Sequence, residues 1–484
     1  MKKIFTHRFT LYFSLFTLHC LLMTGIVSAQ THLWGITVKG GALDSGTIFT
    51  ADVSGNNIHS VYSCHQFDGA GPVGGMVMAG NEKFYGNTEF GGCGDSCVCF
   101  CYNAHTGIFT NIHDYYCNSQ YGDQANSAMM LASDGKLYGL CSGGGAHSEG
   151  VLYSVDPTTN SYTDVYDFID STGYFAAGAM IQLSNGKLYG TTQLGGTSNG
   201  GALFSFDPSN STYTLLHSFQ SATGRTPYYC QLLKATDGKL YGMTEYGGAD
   251  SAGVIFSYDA TTNVYTNMHD FDITHGGNPM GSLLQATNGL LYGMTYYGGA
   301  NMDGTIFSFD ISNSTYLDLF DFNATNGRFP TRSLFQASSG LLFGSTYEAG
   351  ANGFGVFFSF NITTNIQTVL YNFDGGINGK NPDGDVVEVA DNLTSGIKTI
   401  TDNAGISVYP NPAKDQLTIS NWQGANCKLS ITDIMGKEVY NHAYSQLPVA
   451  NCQLTIDLSQ WSNGFYFYQL SNNKETYRGK FVKE

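Results

Sequence analysis

From residue 31 onward the chain is built of short apolar–polar alternations of about four to eight residues, broken by Gly, Asn, Asp and Pro. No stretch keeps an apolar period of 3.6, so the pattern predicts strands and turns throughout. Residues 231–272, "QLLKATDGKLYGMTEYGGADSAGVIFSYDATTNVYTNMHDFD", show the unit. They predict four strands: a over 231–235, b over 239–246, c over 254–259 and d over 265–271. Asp237-Gly238 is a two-residue hairpin turn between a and b, the type that favours positive φ.

The unit repeats. Leu-Tyr-Gly or a close variant recurs with its glycine at Gly35, Gly86, Gly139, Gly190, Gly242, Gly293 and Gly344, at spacings of 51, 53, 51, 52, 51 and 51. Seven four-stranded units of this length match propeller blades. The first copy starts at strand b, "HLWGITVKGG" (32–41), and the last fragment, "NPDGDVVEVADN" (381–392), is a lone strand a. The two fragments complete one another if 385–390 pairs with 33–38, bringing Val386 and Val387 to Trp34. An open stack would leave two exposed edges instead. The expectation is therefore an all-β chain, with a seven-bladed β-propeller over 30–392 closed by its own N- and C-terminal repeat fragments.

Both ends carry something else. Lys2, Lys3 and Arg8 precede an apolar run over 12–27 that ends Val27-Ser28-Ala29, the pattern of a secretory signal peptide over 1–29 cleaved after Ala29. After a polar linker over 393–405, residues 406–484 return to alternating strands with Gly, Asn and Pro turns, enough for a small Ig-like β-sandwich.

Charge narrows the partners. The chain holds 21 Lys+Arg against 38 Asp+Glu; removing 1–29 takes away three basic groups and leaves 18 against 38, or −20. Such a balance disfavours nucleic acid and anionic membrane, and no further stretch is long enough for stable membrane insertion. Charged residues make up 12% of the chain, so Thr, Ser, Asn and Tyr do most of the solvating.

Two resemblances refine this. "VYPNP" (408–412), "ITDIMGKEVY", "LSQWSNGFYFYQL" and the terminal "GKFVKE" resemble, in order, the type A sorting domain of the type IX secretion system of Bacteroidota. The resemblance implies export to the outer cell surface or release, recognition by the type IX machinery, and a sorting role for Tyr409, Pro410, Asn411, Pro412, Gly464, Tyr466 and Lys480. "LYGTTQLGG" (188–196), "GTIFSFD" (304–310) and "LLHSF" (215–219) resemble the Gloeobacter–Verrucomicrobia repeat, which implies no general activity.

Chemistry-bearing residues are sparse. His65, His113, His217 and His269 are read as one repeat position filled elsewhere by Tyr166, Phe320 and Tyr371, which makes them packing residues rather than metal ligands. Cys97, Cys99 and Cys101 share a strand face, with Cys93, Cys64, Cys117 and Cys141 nearby; an exported chain predicts local disulfides there, and a Cys427–Cys452 pair in the tail. Asp134, Asp156, Asp207, Asp237 and Asp259 sit in turns, where Asp is favoured. No metal site, cofactor motif or nucleophile elbow is evident. The b–c loops are uniform, whereas the d–a connections vary and bring Tyr174, Arg225, Tyr228, His275, Arg328 and Phe329 to the same end. The expected function is a non-catalytic propeller binding glycan or protein outside the cell. The alternatives are a polysaccharide hydrolase or lyase with acids at the propeller axis and a surface element without a discrete ligand.

Overall fold

The computed structural model describes residues 31–390 apart from 67–68, 81–82, 93–96 and 116–121; in the C-terminal part it describes 407–409, 413–420, 427–433, 437–444, 454–471 and 476–483. The chain divides into two compact units, 1–392 and 393–484. The described residues are all-β apart from one turn of 3₁₀ helix, Asp170–Thr172. The proposed signal peptide lies outside the described residues, and among the described residues no helix is long and apolar enough to cross a membrane.

In the first unit the described strands form seven sheets in chain order, six of four strands and one of five, antiparallel but for one two-residue pair. Sheet 5 is representative: strands Leu233–Lys234, Leu240–Thr244, Val254–Asp259 and Val264–Asp270 correspond to a, b, c and d. Strand c has the predicted bounds, while strand a pairs over only two residues. The N–H groups along strand a turn instead to the neighbouring sheet: Gln231 N–H donates to Ser282 Oγ (2.8 Å), and Ser282 N–H to Ser333 Oγ (3.2 Å). In the a–b turn only Gly238 takes positive φ (86°), and Asp237 accepts from Lys239 N–H (3.1 Å) and Tyr241 O–H (2.9 Å).

The glycine of each Leu-Tyr-Gly follows from the cross-strand pairing. Gly242 faces Phe256, Gly293 faces Phe307 and Gly344 faces Phe358, and the far end of the strand c ring reaches over the glycine. A methyl group on any of the seven glycines would stand no more than 2.7 Å from a ring carbon. The ring fills the space a side chain would need. These aromatics then belong to seven buried clusters, one between each pair of consecutive sheets. The seventh cluster joins Phe343, Phe357 and Phe373 of the last sheet to Leu33, Phe49 and Val386 of the first.

Sheet 1 draws on both ends of the unit. Val387–Ala390 pairs antiparallel with Thr31–Thr37, matching Trp34 to Val387 and Thr31 to Ala390. The pairing is shorter than the predicted span and displaced by two residues, 387–390 meeting 31–34 rather than 33–38, and Gly384–Asp385 turns away to pair parallel with Gly74 and Gly75 of sheet 2.

The second unit has two antiparallel sheets, one of Ser407–Tyr409, Gln416–Ser420 and Leu454–Asp457, the other of Cys427–Asp433, Glu438–Tyr444, Gly464–Ser471 and Thr476–Lys483. Leu417, Ile419 and Ile456 from the first share one core with Leu429, Ile431 and Phe481 from the second.

Candidate binding face

Each d–a connection meets the next sheet at the end of its strand b. Tyr174 bridges to Leu194, Arg225 to Tyr246, Gly277 to Tyr297, Arg328 to Glu348 and Lys380 to Lys39. The residue after each bridge is left-handed: Phe175, Thr226, Asn278, Phe329 and Asn381 have φ of 52–60°. Such backbone costs a non-glycine residue roughly 1–3 kcal/mol. It lets one residue staple two sheets. Phe329 N–H donates to Asp303 O of one sheet (3.0 Å), and its C=O accepts from Tyr347 N–H of the next (3.2 Å). Thr226 does the same with Gly200 (2.7 Å) and Glu245 (2.9 Å).

These staples fix a ledge of side chains across sheets 5 to 7. The Arg225 guanidinium lies over the Tyr246 ring at 5.4 Å. Hydrogen bonding with Glu245, then burial, pushes the Tyr246 hydroxyl up to about 12, and Tyr297 is near enough to add to the effect. Burial raises the Glu245 carboxyl, against the pull of Tyr246 and Arg225. Tyr297 meets Tyr296 edge-on at 4.5 Å. Phe329 is stacked on Tyr296 at 5.0 Å and lies under Arg328 at 4.8 Å, and Arg328 pairs with Glu348 at 2.8 Å.

Of the six residues singled out from sequence, Arg225, Arg328 and Phe329 meet on this ledge. Tyr174 is half-buried in the corresponding connection of sheet 3, and Tyr228 donates to the Tyr229 hydroxyl (3.1 Å). His275 is exposed and pairs with Asp272 at 3.0 Å, which raises its pKa. Sequence reasoning missed Tyr246, Tyr296 and Tyr297. Their Tyr-Gly-Gly context reads as part of the constant repeat, and the only signal is the doubled tyrosine of "MTYYGG".

Among the described residues, the large aromatic side chains most exposed in the first unit are Phe90, Phe175, Tyr246, Tyr297 and Phe354, at 37–47%. All five belong to strand b ends, b–c loops or d–a connections. Exposed aliphatic side chains occur at both ends, Leu43, Ile273, Met302 and Ile377 beside the aromatics and Met78, Ile108, Leu131, Val264 and Ile366 at the other end, where no large aromatic is as exposed among the described residues.

A second polar site was also missed. Seven segments of the chain, from Gly74 to Asp385, reach a shared cavity whose free space is about 10 Å³, room for roughly one water. Arg332, 5% exposed, lines it with its guanidinium 3.8 Å over Tyr229, and grips Asp383 through Nε–Oδ1 (2.6 Å) and Nη2–Oδ2 (3.1 Å). Burial opposes the Arg332 charge, but Asp383 outweighs it and keeps the guanidinium protonated. Burial also raises the Asp385 carboxyl, which accepts Ser333 N–H at 2.9 Å. The lone Arg within the apolar run "TRSLFQ" was the available signal.

The disulfide expectation is corrected where the structure describes it. Cys97, Cys99, Cys101 and Cys141 are unbridged thiols inside the core between sheets 2 and 3. Neighbours on one strand face point the same way, which is unsuited to bridge geometry. Burial pushes Cys97 up to about 11 and Cys99 up to about 12, keeping them protonated. Cys93, Cys117 and Cys452 lie outside the described residues. The histidines stack between sheets, His113 on Tyr162 and His217 on Tyr265 at 3.9 Å, and His269 on Tyr316 at 4.3 Å. Tyr166 on Tyr213 repeats the arrangement at 4.5 Å. In sheet 1 this position is Tyr62, stacked on Phe109, and not His65, the residue expected from the repeat.

In the second unit Tyr409 pairs with Thr418, and Gly464 opens the strand that carries Tyr466. Tyr466 stacks on Phe481 at 5.5 Å and donates to Ser462 O at 2.7 Å. Lys480 pairs with Phe467 along the backbone; Pro410, Asn411 and Pro412 lie outside the described residues.

The sequence matches the Gloeobacter/Verrucomicrobia repeat over 19–204 and 176–408. The chain belongs to that family. Residues 407–484 match the secretion-system C-terminal sorting domain, which implies interaction with the type IX machinery and export to the cell surface or beyond. No curated protein matches the chain. Among solved structures it is similar to a putative 6-phosphogluconolactonase from Bacteroides fragilis (12% identity, 75% of this chain and 98% of that one, TM-score 0.50). It is also similar to PorZ, a surface component of the type IX system of Porphyromonas gingivalis (14%, 94% and 58%, TM-score 0.39), and to TolB from Acinetobacter baumannii (15%, 59% and 62%, TM-score 0.38). The chain thus spans less than two thirds of the length of PorZ and TolB. At these identities the likeness speaks to fold alone, which is all-β and propeller-like.

Proposed function

We propose that the chain is a non-catalytic binding protein of the cell exterior, a closed seven-bladed propeller that binds glycan or protein with the end formed by its b–c loops and d–a connections. On this reading 1–29 is a removed leader, 30–392 the propeller, 393–405 a linker and 406–484 an Ig-like sorting module. Closure is supported by the pairing of Val387–Ala390 with the first strand and by the core between the last and first sheets.

The observation that carries the binding role is the segregation of exposed aromatics to one end. Aromatic and Arg residues dominate recognition surfaces, whereas scattered aliphatics need no ligand to explain them. The alternative, a hydrolase or lyase with acids at the axis, would use Asp383 and Asp385. Asp383 is held by Arg332 and the space beside it is about that of one water, which favours a structural role for both.

The test is binding and turnover by the mature chain on a panel of polysaccharides and surface proteins. Phe90→Ser, Phe175→Ser and Phe354→Ser should weaken binding, and Ile108→Ser at the other end should not. Turnover of a polysaccharide would refute the non-catalytic reading, and equal loss from both ends would refute the face.

A further inference from the structure

The ledge over sheets 5 to 7 has a composition that selects among ligand classes. A pyranose presents an apolar C–H face and a rim of hydroxyls, so it needs exposed aromatic faces with donors and acceptors beside them, held rigidly. Tyr246 and Tyr297 are 37% and 41% exposed, and Asn278 ties together the two strand ends that carry them, its Nδ2 donating to Glu245 O (3.1 Å) and its C=O accepting from Tyr296 N–H (3.2 Å). Arg225 and Glu245 flank the first ring. The second is propped by Tyr296, itself stacked on the Phe329 that Arg328 covers. The left-handed backbone at Thr226 and Phe329 anchors both connections to neighbouring sheets, so the ordering cost is met before a ligand arrives.

Charge decides the rest. The chain carries −17 overall, which repels a polyanion. On the ledge itself Arg328 pairs with Glu348, and the backbone bonds of 225–226 to 245–246 set Glu245 beside Arg225. The surface is rich in hydrogen-bonding groups yet close to electrically neutral.

We infer that Tyr246 and Tyr297, with Arg225 and Glu245 beside them, form a subsite for a neutral glycan chain. The inference rests on the binding-face reading above and narrows it to one ligand class and one sector of the face.

Affinity electrophoresis of the full mature chain, in gels containing soluble neutral glucan, xylan or mannan or acidic polygalacturonate or alginate, tests it. A neutral polysaccharide should retard the wild type. The pair Tyr246→Ala/Tyr297→Ala should weaken that retardation at least about tenfold, and Tyr246→Phe/Tyr297→Phe, which keeps the rings, should retain most of it. Matching thermal melts show that the variants fold. Retardation by acidic gels alone, by none, or undiminished in the alanine pair would overturn the inference. If surviving retardation is instead lost in Phe90→Ser or Phe175→Ser, the face stands and the ledge falls; if it ignores every variant of this end, both fall.

Discussion

Replacing Asp164 or Asp318 with Asn should stabilise the protein at neutral pH and leave it unchanged in acid. Both residues stand in outer strands three positions before a second carboxylate, Asp167 or Asp321, which accepts a loop N–H from Ala146 (2.6 Å) or Ala300 (2.7 Å). In sheets 2 and 5 the equivalent residue is already Asn, and Asn111 and Asn267 each donate to the following Asp at 2.9 Å. In sheets 3 and 6 that donor is missing. Oδ1 of Asp164 and of Asp318 is buried with no hydrogen-bond partner. Burial, then repulsion from the neighbouring carboxylate, raises each from the ordinary 3.8 to about 6.

Because the folded state holds the proton more tightly than the unfolded one, it binds more protons between pH 3.8 and about 6, and stability falls as pH rises through that window. At full burial the gap would be worth about 3 kcal/mol per residue. Both side chains are half-buried, and solvent screening reduces this to about 1–2 kcal/mol. Each Asn variant should therefore melt roughly 1–3 °C above wild type at pH 7.5. The advantage should shrink below pH 6 and vanish near pH 3.8, where protonated Asp donates as Asn does. Differential scanning calorimetry across this range is the assay. A variant less stable at pH 7.5, or an advantage independent of pH, would refute the reasoning.

Three further outcomes are expected. Gly293→Ala should cost about 1–3 kcal/mol by forcing the Phe307 ring off the glycine it covers, read as a lower urea midpoint at unchanged slope; an unchanged midpoint would mean the ring is free to move. Arg332→Met should cost about 3–5 kcal/mol by stranding Asp383, and Arg332→Met/Asp383→Asn should recover part of the loss in the same titration. Burial holds His217 and His269 below the usual imidazole range, so stability they contribute is lost as pH falls below 6.5, opposite in slope to the aspartates. His217→Tyr/His269→Tyr, copying Tyr166, should flatten the melting temperature between pH 7 and 5.

The sequence made legible whatever the repeat enforces sevenfold: the strand c bounds of 254–259, the glycine under each ring, and the complementary terminal fragments. Those features recur because backbone pairing and ring packing demand them at every copy. Legibility ended where one copy departs from the others. Tyr297 was hidden within a constant motif, since sequence identity says nothing about whether a neighbouring connection leaves a ring uncovered. Arg332 was passed over because its partner Asp383 lies 51 residues on, and the two meet only through sheet packing. The thiols were misread because a shared strand face was taken as nearness enough to bridge, whereas side chains that point the same way do not meet the geometry of a disulfide.

The fastening between the last and first sheets departs from the repeat in a consistent direction. At the two preceding interfaces neutral groups make the contacts: Gln285 accepts Thr236 N–H and Gln336 accepts Thr287 N–H, both at 2.9 Å, and Ser282 and Ser333 receive the inner N–H groups. At this one the equivalent residues are carboxylates. Glu388 accepts from Ser338 N–H (2.8 Å) and Oγ–H (2.6 Å), Asp385 accepts Ser333 N–H, and Asp383 accepts from Thr331 Oγ1–H (2.8 Å) as well as Arg332. Hydrogen bonds to an ionised group are roughly twice as strong as neutral ones. Sheet 1 is the sheet assembled from two distant stretches of chain, so its inner strand has no covalent link to the strand it pairs with. The substitutions of Gln by Glu and Ser by Asp fasten that inner strand to the last sheet by the stronger bonds, at the cost of burying Asp385. The acidic character of "NPDGDVVEVADN" is thus a property of the seam, and it sets this fragment apart from its six relatives without assigning it any chemistry.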